Sequence, residues 1–270
     1  MRERFDSEYI HSELERIGNR LETPLTVYLI GGGSMAFRDL KETTKDIDLV
    51  VADGDALKQL QVALLDCGYD VVKDPSEEYH ELGAQRLLEN ADGCRIDVFN
   101  RKVVDKLVLS EEMRGRSVTY LEVGELTVAL VSAEDIFLFK SVAGRTDDID
   151  DMFTLIQTGL NFAVVESELE QQIDLLGQEL FVSHVNEALV SLEERHNITT
   201  PLSDPVSEIT ERVYRELKVF HAFDDAIPRS ELYERVALSP DDIGEVIQSL
   251  ERKGVVAVDD DQILEKSTPL

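Results

Sequence analysis

Asp46 and Asp48 stand one residue apart, with Ile47 between them and Leu49, Val50 and Val51 behind. On a strand successive side chains point to opposite faces, so the two carboxylates share a face and Ile47 takes the other. Two carboxylates this close repel each other unless something compensates. A divalent cation that prefers oxygen, Mg²⁺ or Mn²⁺, is the usual compensation, and Mg²⁺ is commonly held by one or two carboxylates together with substrate phosphates. Upstream, at the end of the apolar run 26–30, stand Gly31, Gly32, Gly33 and Ser34. Without Cβ atoms a backbone can turn sharply, approach a phosphate and aim its N–H groups at it. A phosphate cradle ahead of a metal-binding carboxylate pair describes a nucleoside-triphosphate site. Asp148-Ile149-Asp150 repeats the spacing, but it has no glycine turn before it and lies in a helical pattern.

Positioning these groups requires a strand over 26–30, a glycine turn, one or two helical turns, and a second strand opening at Asp46. Apolar residues at helical spacing predict a helix over 7–21 and another over 56–65, the latter ended by Gly68. Short strands are expected near 70–73, 85–89 and 94–99, with Asn90-Ala-Asp-Gly93 as turn chemistry between the last two. Residues 103–112 read as a helix, and 118–123 with 126–131 as a hairpin. Ser132-Ala-Glu-Asp135 is a capping box for a helix carrying Ile136, Phe137, Phe139 and Lys140. Thr146 and Asp147 would cap the helix 149–158, and helical patterns follow over 164–177 and 180–195.

The glycines and Ser34 followed by Asp46-Ile47-Asp48 resemble the signature of the nucleotidyltransferase superfamily, the DNA polymerase β-like fold. Thr43-Thr44-Lys45-Asp46-Ile47-Asp48-Leu49 is similar to a small prokaryotic branch that includes abortive-infection-type nucleotidyltransferase toxins. That family carries a third carboxylate on a neighbouring strand, and Arg95-Ile96-Asp97-Val98-Phe99 fits the role. Its helical segment of Asp-Leu, Lys, Arg and Asp is resembled by 132–151, with Lys140, Arg145, Asp148 and Asp151. The resemblance covers residues 20–160. It implies an α/β (α+β) fold with a mixed sheet and flanking helices, and two metals on Asp46 and Asp48 with Asp97 completing the set. It further implies a triphosphate against Gly31, Gly32, Gly33 and Ser34, and phosphate contacts from Lys140, Arg145 and Lys45, with Arg38 a weaker candidate. Where the family often has Arg, this chain has Glu42, which leaves one expected phosphate contact unfilled.

Each assignment has a plainer reading. Lys140 could be a lysine snorkelling beside Phe137 and Phe139, Arg145 a helix-terminal charge, and Asp97 an edge-strand acid. An ionised, unmatched carboxylate among Ile96, Val98 and Phe99 would be costly, which favours a function for Asp97.

Against 27 Lys and Arg stand 56 Asp and Glu, a net charge of −29 spread through every segment. An acidic folded surface of this kind repels itself in dilute buffer, whereas in molar salt the Debye length falls to about 3 Å. The composition therefore predicts a salt-adapted, halophilic setting. No apolar run has the length of a membrane span, Met1 to Ser7 has no signal-peptide character, and Cys67 and Cys94 form no metal or redox motif. These features point to a cytoplasmic protein with no membrane partner.

The expected division is a nucleotidyltransferase-like domain over 1–160, a helical extension and linker over 161–200, and a winged-helix-like domain over 206–266. Three helices and a terminal hairpin make the last assignment. Asp241, Asp242 and Glu245 open its third helix, where a DNA reader would place base-reading residues. A protein-docking or dimerising domain is favoured, because DNA affinity requires phosphate neutralisation. The reading is a Mg²⁺-dependent transfer of NMP from an NTP to a hydroxyl of RNA, a tRNA end included, or of protein. Such a chain could form part of a toxin–antitoxin pair. The alternative is a nucleotide-sensing regulatory protein without catalysis, and a third reading is a winged-helix transcription factor.

Overall fold

The computed structural model describes residues 3–72, 86–259 and 262–265. It divides into two compact units, Met1–Leu176 with Glu187–Thr199, and Gly177–Asn186 with Thr200–Leu270.

The first unit is built on a mixed seven-stranded sheet. Its strands are β1 (Leu25–Ile30), β2 (Asp46–Val51), β3 (Asp70–Val71), β4 (Arg86–Glu89), β5 (Arg95–Asn100), β8 (Val118–Val123) and β9 (Leu126–Leu130), in the order β3-β4-β5-β2-β1-β9-β8. β2 runs parallel to β5 and β1 parallel to β9, while the other neighbours are antiparallel. Period-two alternation sorts the sheet into faces. Val27, Leu29, Ile47, Leu49, Val51, Ile96 and Val98 lie in one apolar core with Ile10, Leu14 and Ile17 of α1 (Ser7–Gly18) and Leu57, Leu60 and Leu64 of α3 (Gly54–Asp66). The intervening positions of β2 and β5, including Asp46, Asp48 and Asp97, therefore point to the other face.

Local chemistry sets the element ends. Asp6 caps α1 by accepting from Tyr9 N at 2.9 Å. Asp53 caps α3 through the N–H groups of Asp55 and Ala56. In the 90–93 turn, Asn90 N donates to Cys94 O at 3.0 Å and Gly93 N to Asn90 O at 3.0 Å.

The helix expected over 103–112 does not form. Lys102–Val103 (β6) pairs with Leu107–Val108 (β7) around Val104 and Asp105, both at positive φ. The β-branched valines of this stretch suit a ladder better than a helix. α4 (Glu111–Arg116) begins only where Ser110 Oγ accepts from Met113 N at 3.0 Å. Gln172, buried on α7 (Phe162–Leu176), braces the hairpin by bonding both Val108 N (2.8 Å) and Val108 O (2.7 Å).

α5 (Ala133–Ala143) carries the Ser132 cap and ends on Gly144 in the left-handed region. α6 (Thr146–Gln157) follows at once; its N-cap is Arg145, whose backbone N–H is held by Asp148. α8 (Val182–His196) places Arg195 and His196 on Asp150. Asp150 is thereby committed away from the candidate site, in keeping with a helical reading of Asp148-Ile149-Asp150.

In the second unit, α9 (Ser203–Phe220), β10 (Ala226–Pro228), α10 (Arg229–Arg235), α11 (Pro240–Arg252), β11 (Val256–Asp259) and β12 (Gln262–Glu265) succeed one another, with a three-stranded antiparallel sheet in the order β10-β12-β11. Val219, Phe220, Leu232, Ile243, Ile247, Leu250 and Ile263 form its core. Glu216 is buried there and accepts from Lys253 (2.6 Å) and Ser249 (2.6 Å).

Among the described residues no helix is long and apolar enough to cross a membrane, and both cysteines are buried and free. A net charge of −29 leads to a direct expectation: the melting temperature rises steeply between about 0.1 M and about 2 M KCl as the repulsion is screened. A melting curve indifferent to KCl over that range would refute salt adaptation.

Candidate active site

The site begins with the register of three central strands. Ile30 of β1 lies opposite Asp48 of β2, and Asp48 lies level with Asp97 of β5. Asp46 and Asp48 are half-buried, whereas Asp97 is almost wholly buried. Burial, and then the neighbouring Asp46, push the Asp48 carboxyl up to about 6; Lys140 and Arg145 pull the other way.

The glycines stand against this pair in a specific way. The expected glycine turn is compressed: helix α2 (Gly31–Ala36) starts at the first glycine, which alone of the three takes a positive φ, 61°. A Cβ on Gly31 would lie 2.2 Å from Asp48 Oδ2, so the carboxylate occupies the space that a side chain would fill. A Cβ on Gly32 would lie 2.5 Å from Thr44 Oγ1. Thr44 is itself fixed, since its backbone bridges Phe5 and its hydroxyl donates to Asp46 O at 3.0 Å. The Gly-to-Asp connection is thus stitched to the turn by Thr44, a residue that sequence reasoning passed over.

Ser34 is fully buried, and its hydroxyl accepts from Arg38 Nη1 at 2.5 Å. Arg38 also donates to Ser34 O and Val131 O, so it braces α2 against the end of β9. These bonds commit the guanidinium to the fold, and burial holds its pKa below the ordinary value.

A chain of alternating charges lies beside the aspartates. Lys140, buried on α5, contacts Asp148 at 2.7 Å and Asp151 at 2.8 Å. Arg145 Nε donates to the same Asp148 at 2.7 Å, and Lys41 Nζ reaches both oxygens of Asp151 at 2.7 and 2.8 Å. Asp148 and Asp151 are three residues apart on α6 and therefore share a helix face. Against the pull of burial, the two carboxylates hold Lys140 above its ordinary pKa, and Lys140 with Arg145 holds Asp148 below its own. Lys45 is exposed and pairs with Asp147 at 3.4 Å. The spacing of Asp148 and Asp151 was visible in the sequence; nothing there singled out Lys41.

Does the donor set suit a divalent ion? Among the described residues no three His, Cys, Asp or Glu side chains are gathered as a ready-made metal group. Mg²⁺ does not require one, because it takes hard oxygen ligands and usually combines one or two carboxylates with water and substrate phosphate. Asp46 and Asp48 fit that requirement. The upward-shifted Asp48 marks a place where added positive charge would relieve repulsion.

No family model and no curated protein matches this chain. Among solved structures it is similar to a candidate nucleotidyltransferase from H. pylori, with 13% identity and a TM-score of 0.34, covering 76% of this chain and 96% of that one. It is also similar to a CCA-adding enzyme in complex with CTP, with 14% identity and a TM-score of 0.28, covering 92% of this chain and 70% of the other.

Proposed function

We propose that this chain is a divalent-cation-dependent nucleotidyltransferase, moving an NMP from an NTP to a hydroxyl of RNA, tRNA ends included, or of protein. The observation that carries the reading is the seat of Asp48. Its carboxylate fills the space left by the missing Cβ of Gly31, with Asp46 on its own strand and Asp97 level with it on the next.

In this reading Asp46 and Asp48 hold the cation, which when bound neutralises the triphosphate and the acceptor oxygen. Asp97 completes the carboxylate set and draws the proton from the acceptor hydroxyl. That oxygen attacks the α-phosphorus, and pyrophosphate leaves. The backbone of Gly31, Gly32, Gly33 and Ser34 lies along the triphosphate; Ser34 contributes main chain, because its hydroxyl is held by Arg38. Lys140 and Arg145 balance phosphate charge, with exposed Lys45 at the margin.

The helix–strand–helix–helix–hairpin order of the second unit supports a winged-helix-like domain. The acidic first turn of α11, Asp241 and Asp242, supports docking of a protein, an antitoxin-like partner or a second copy, over reading of DNA.

The test is incubation in molar KCl with Mg²⁺ or Mn²⁺, each of the four α-labelled NTPs and total RNA, beside the Asp48→Ala variant. Label is expected in RNA or protein, reduced by about a hundredfold or more in the variant. Full transfer by Asp48→Ala would remove the metal assignment. Tight NTP binding without transfer to any acceptor would support the nucleotide-sensing alternative. That reading draws on Lys140 and Lys41 already being matched by Asp148 and Asp151.

A further inference from the structure

We infer that Lys41 is a further phosphate-binding residue of this site, held on Asp151 in the nucleotide-free protein and transferred to the β- or γ-phosphate of a bound NTP. The inference rests on the nucleotidyltransferase reading and adds a residue to it.

Four observations carry it. The first is position: the Lys41 stem runs past the glycine turn, its Cδ 3.9 Å from where a Gly32 Cβ would stand. The stem thus passes beside the backbone proposed to line the triphosphate, with its ammonium held on Asp151. The second is charge. Lys140 lies on both Asp148 and Asp151, Arg145 on Asp148, and Lys41 on Asp151. Asp151 receives two ammonium groups, at 2.7 Å and 2.8 Å, and of the two only Lys140 has a second carboxylate, Asp148. A phosphate that takes Lys41 leaves Lys140 with both Asp148 and Asp151.

The third is exposure. The Lys41 side chain is 25% exposed and that of Lys140 is 9% exposed, so of the two it is Lys41 that can swing while Lys140 stays as the fixed member. The fourth is its setting. Lys41 lies between α2 and β2, outside any helix or strand, on a four-carbon stem that lets an ammonium follow a phosphate. It adjoins Glu42, whose exposed carboxylate cannot take a phosphate.

The experiment compares wild type, Lys41→Met, Lys41→Arg and Asp48→Ala at one fixed KCl concentration with Mg²⁺. It measures equilibrium binding of a fluorescently labelled NTP and of the corresponding NMP, with melting temperatures recorded alongside. Lys41→Met is expected to weaken NTP binding by about tenfold to a hundredfold, the range of a charge-assisted hydrogen bond. NMP binding should change by less than about twofold, because NMP lacks the β- and γ-phosphates, and Lys41→Arg should recover most of the NTP affinity. If Lys41 serves only as a structural partner of Asp151, Lys41→Met lowers the melting temperature and leaves the NTP-to-NMP ratio at the wild-type value, which overturns the inference. If Asp48→Ala weakens NTP binding while Lys41→Met does not, the site reading stands and the Lys41 assignment falls. If wild type binds no NTP at all, both fall together.

Discussion

Gly31→Ala is expected to cost little stability and nearly all activity. The two effects have separate causes. An L-residue held near φ 61° pays roughly 1–2 kcal/mol for the left-handed backbone. The new methyl group meets Asp48 Oδ2 at 2.2 Å, the tip of a side chain and not main chain. The carboxylate can rotate aside, so the clash is relieved at the expense of its aim. A misplacement of about 1 Å at a reacting centre costs about a hundredfold in rate. The melting temperature should therefore drop by a few degrees, while transfer activity and Mg²⁺-dependent NTP binding fall by about two orders of magnitude.

Gly32→Ala makes the informative contrast. Its Cβ would strike Thr44 Oγ1 at 2.5 Å and Thr44 Cβ at 3.1 Å, and Thr44 is bridged through its backbone to Phe5. That variant should lose more stability than Gly31→Ala, because the obstacle cannot rotate away as a unit. Equal activity of Gly31→Ala and wild type would show that Asp48 is not aimed by this contact.

Local chemistry made much of the first unit legible in the sequence. The period-two alternation of β2 put Asp46 and Asp48 on one face, and the Ser132 capping box and Gly144 bounded the helix that carries Lys140; the level of Asp97 is set by the parallel register of β5 against β2. Failures came where the decisive contact is long-range. At 103–112 the pattern was apolar enough for a helix, but a turn with Val104 and Asp105 at positive φ and the Gln172 clamp from a helix more than sixty residues away make a hairpin over 102–108. The resemblance implied a triphosphate contact for Ser34 and, more weakly, a phosphate contact for Arg38. Their pairing with each other, and the bond from Arg38 to Val131, depends on β9 running beside β1. Lys41 gave no signal because its partner, Asp151, is 110 residues distant. The charge network was half visible: helical spacing puts Asp148 and Asp151 on one face, whereas Lys140 meets them only because the chain turns at Gly144 between two helices.

Asp48→Asn should stabilise the protein in the absence of divalent cations, and the gain should depend on pH in a defined direction. The folded-state pKa of Asp48 lies near 6, above its ordinary 3.8. Between these values the native state binds more protons than the unfolded chain, so stability falls as pH rises through the interval. Below about pH 4 the carboxyl is protonated in both states and costs nothing. Above about pH 6 the full penalty is present, roughly 2–3 kcal/mol at 1.36 kcal/mol per tenfold change in affinity for the proton. Asparagine is an uncharged isostere of the protonated acid and escapes this penalty. Denaturant melts of wild type and Asp48→Asn in EDTA should therefore coincide near pH 4 and diverge progressively up to about pH 6.5, with the variant the more stable. Taking the difference between the two proteins cancels the titrating groups that do not interact with Asp48 and leaves Asp48 with its coupled neighbour Asp46. Mg²⁺ should then reverse the order, because it binds the wild-type carboxylates and stabilises by mass action only the protein that holds it. A fold that gives up stability to keep two carboxylates together has a use for the charge. If Asp48→Asn is less stable than wild type at pH 7, or the gap is the same at pH 4 and pH 7, Asp46 and Asp48 are not a mutually repelling pair and the cation assignment loses its physical basis.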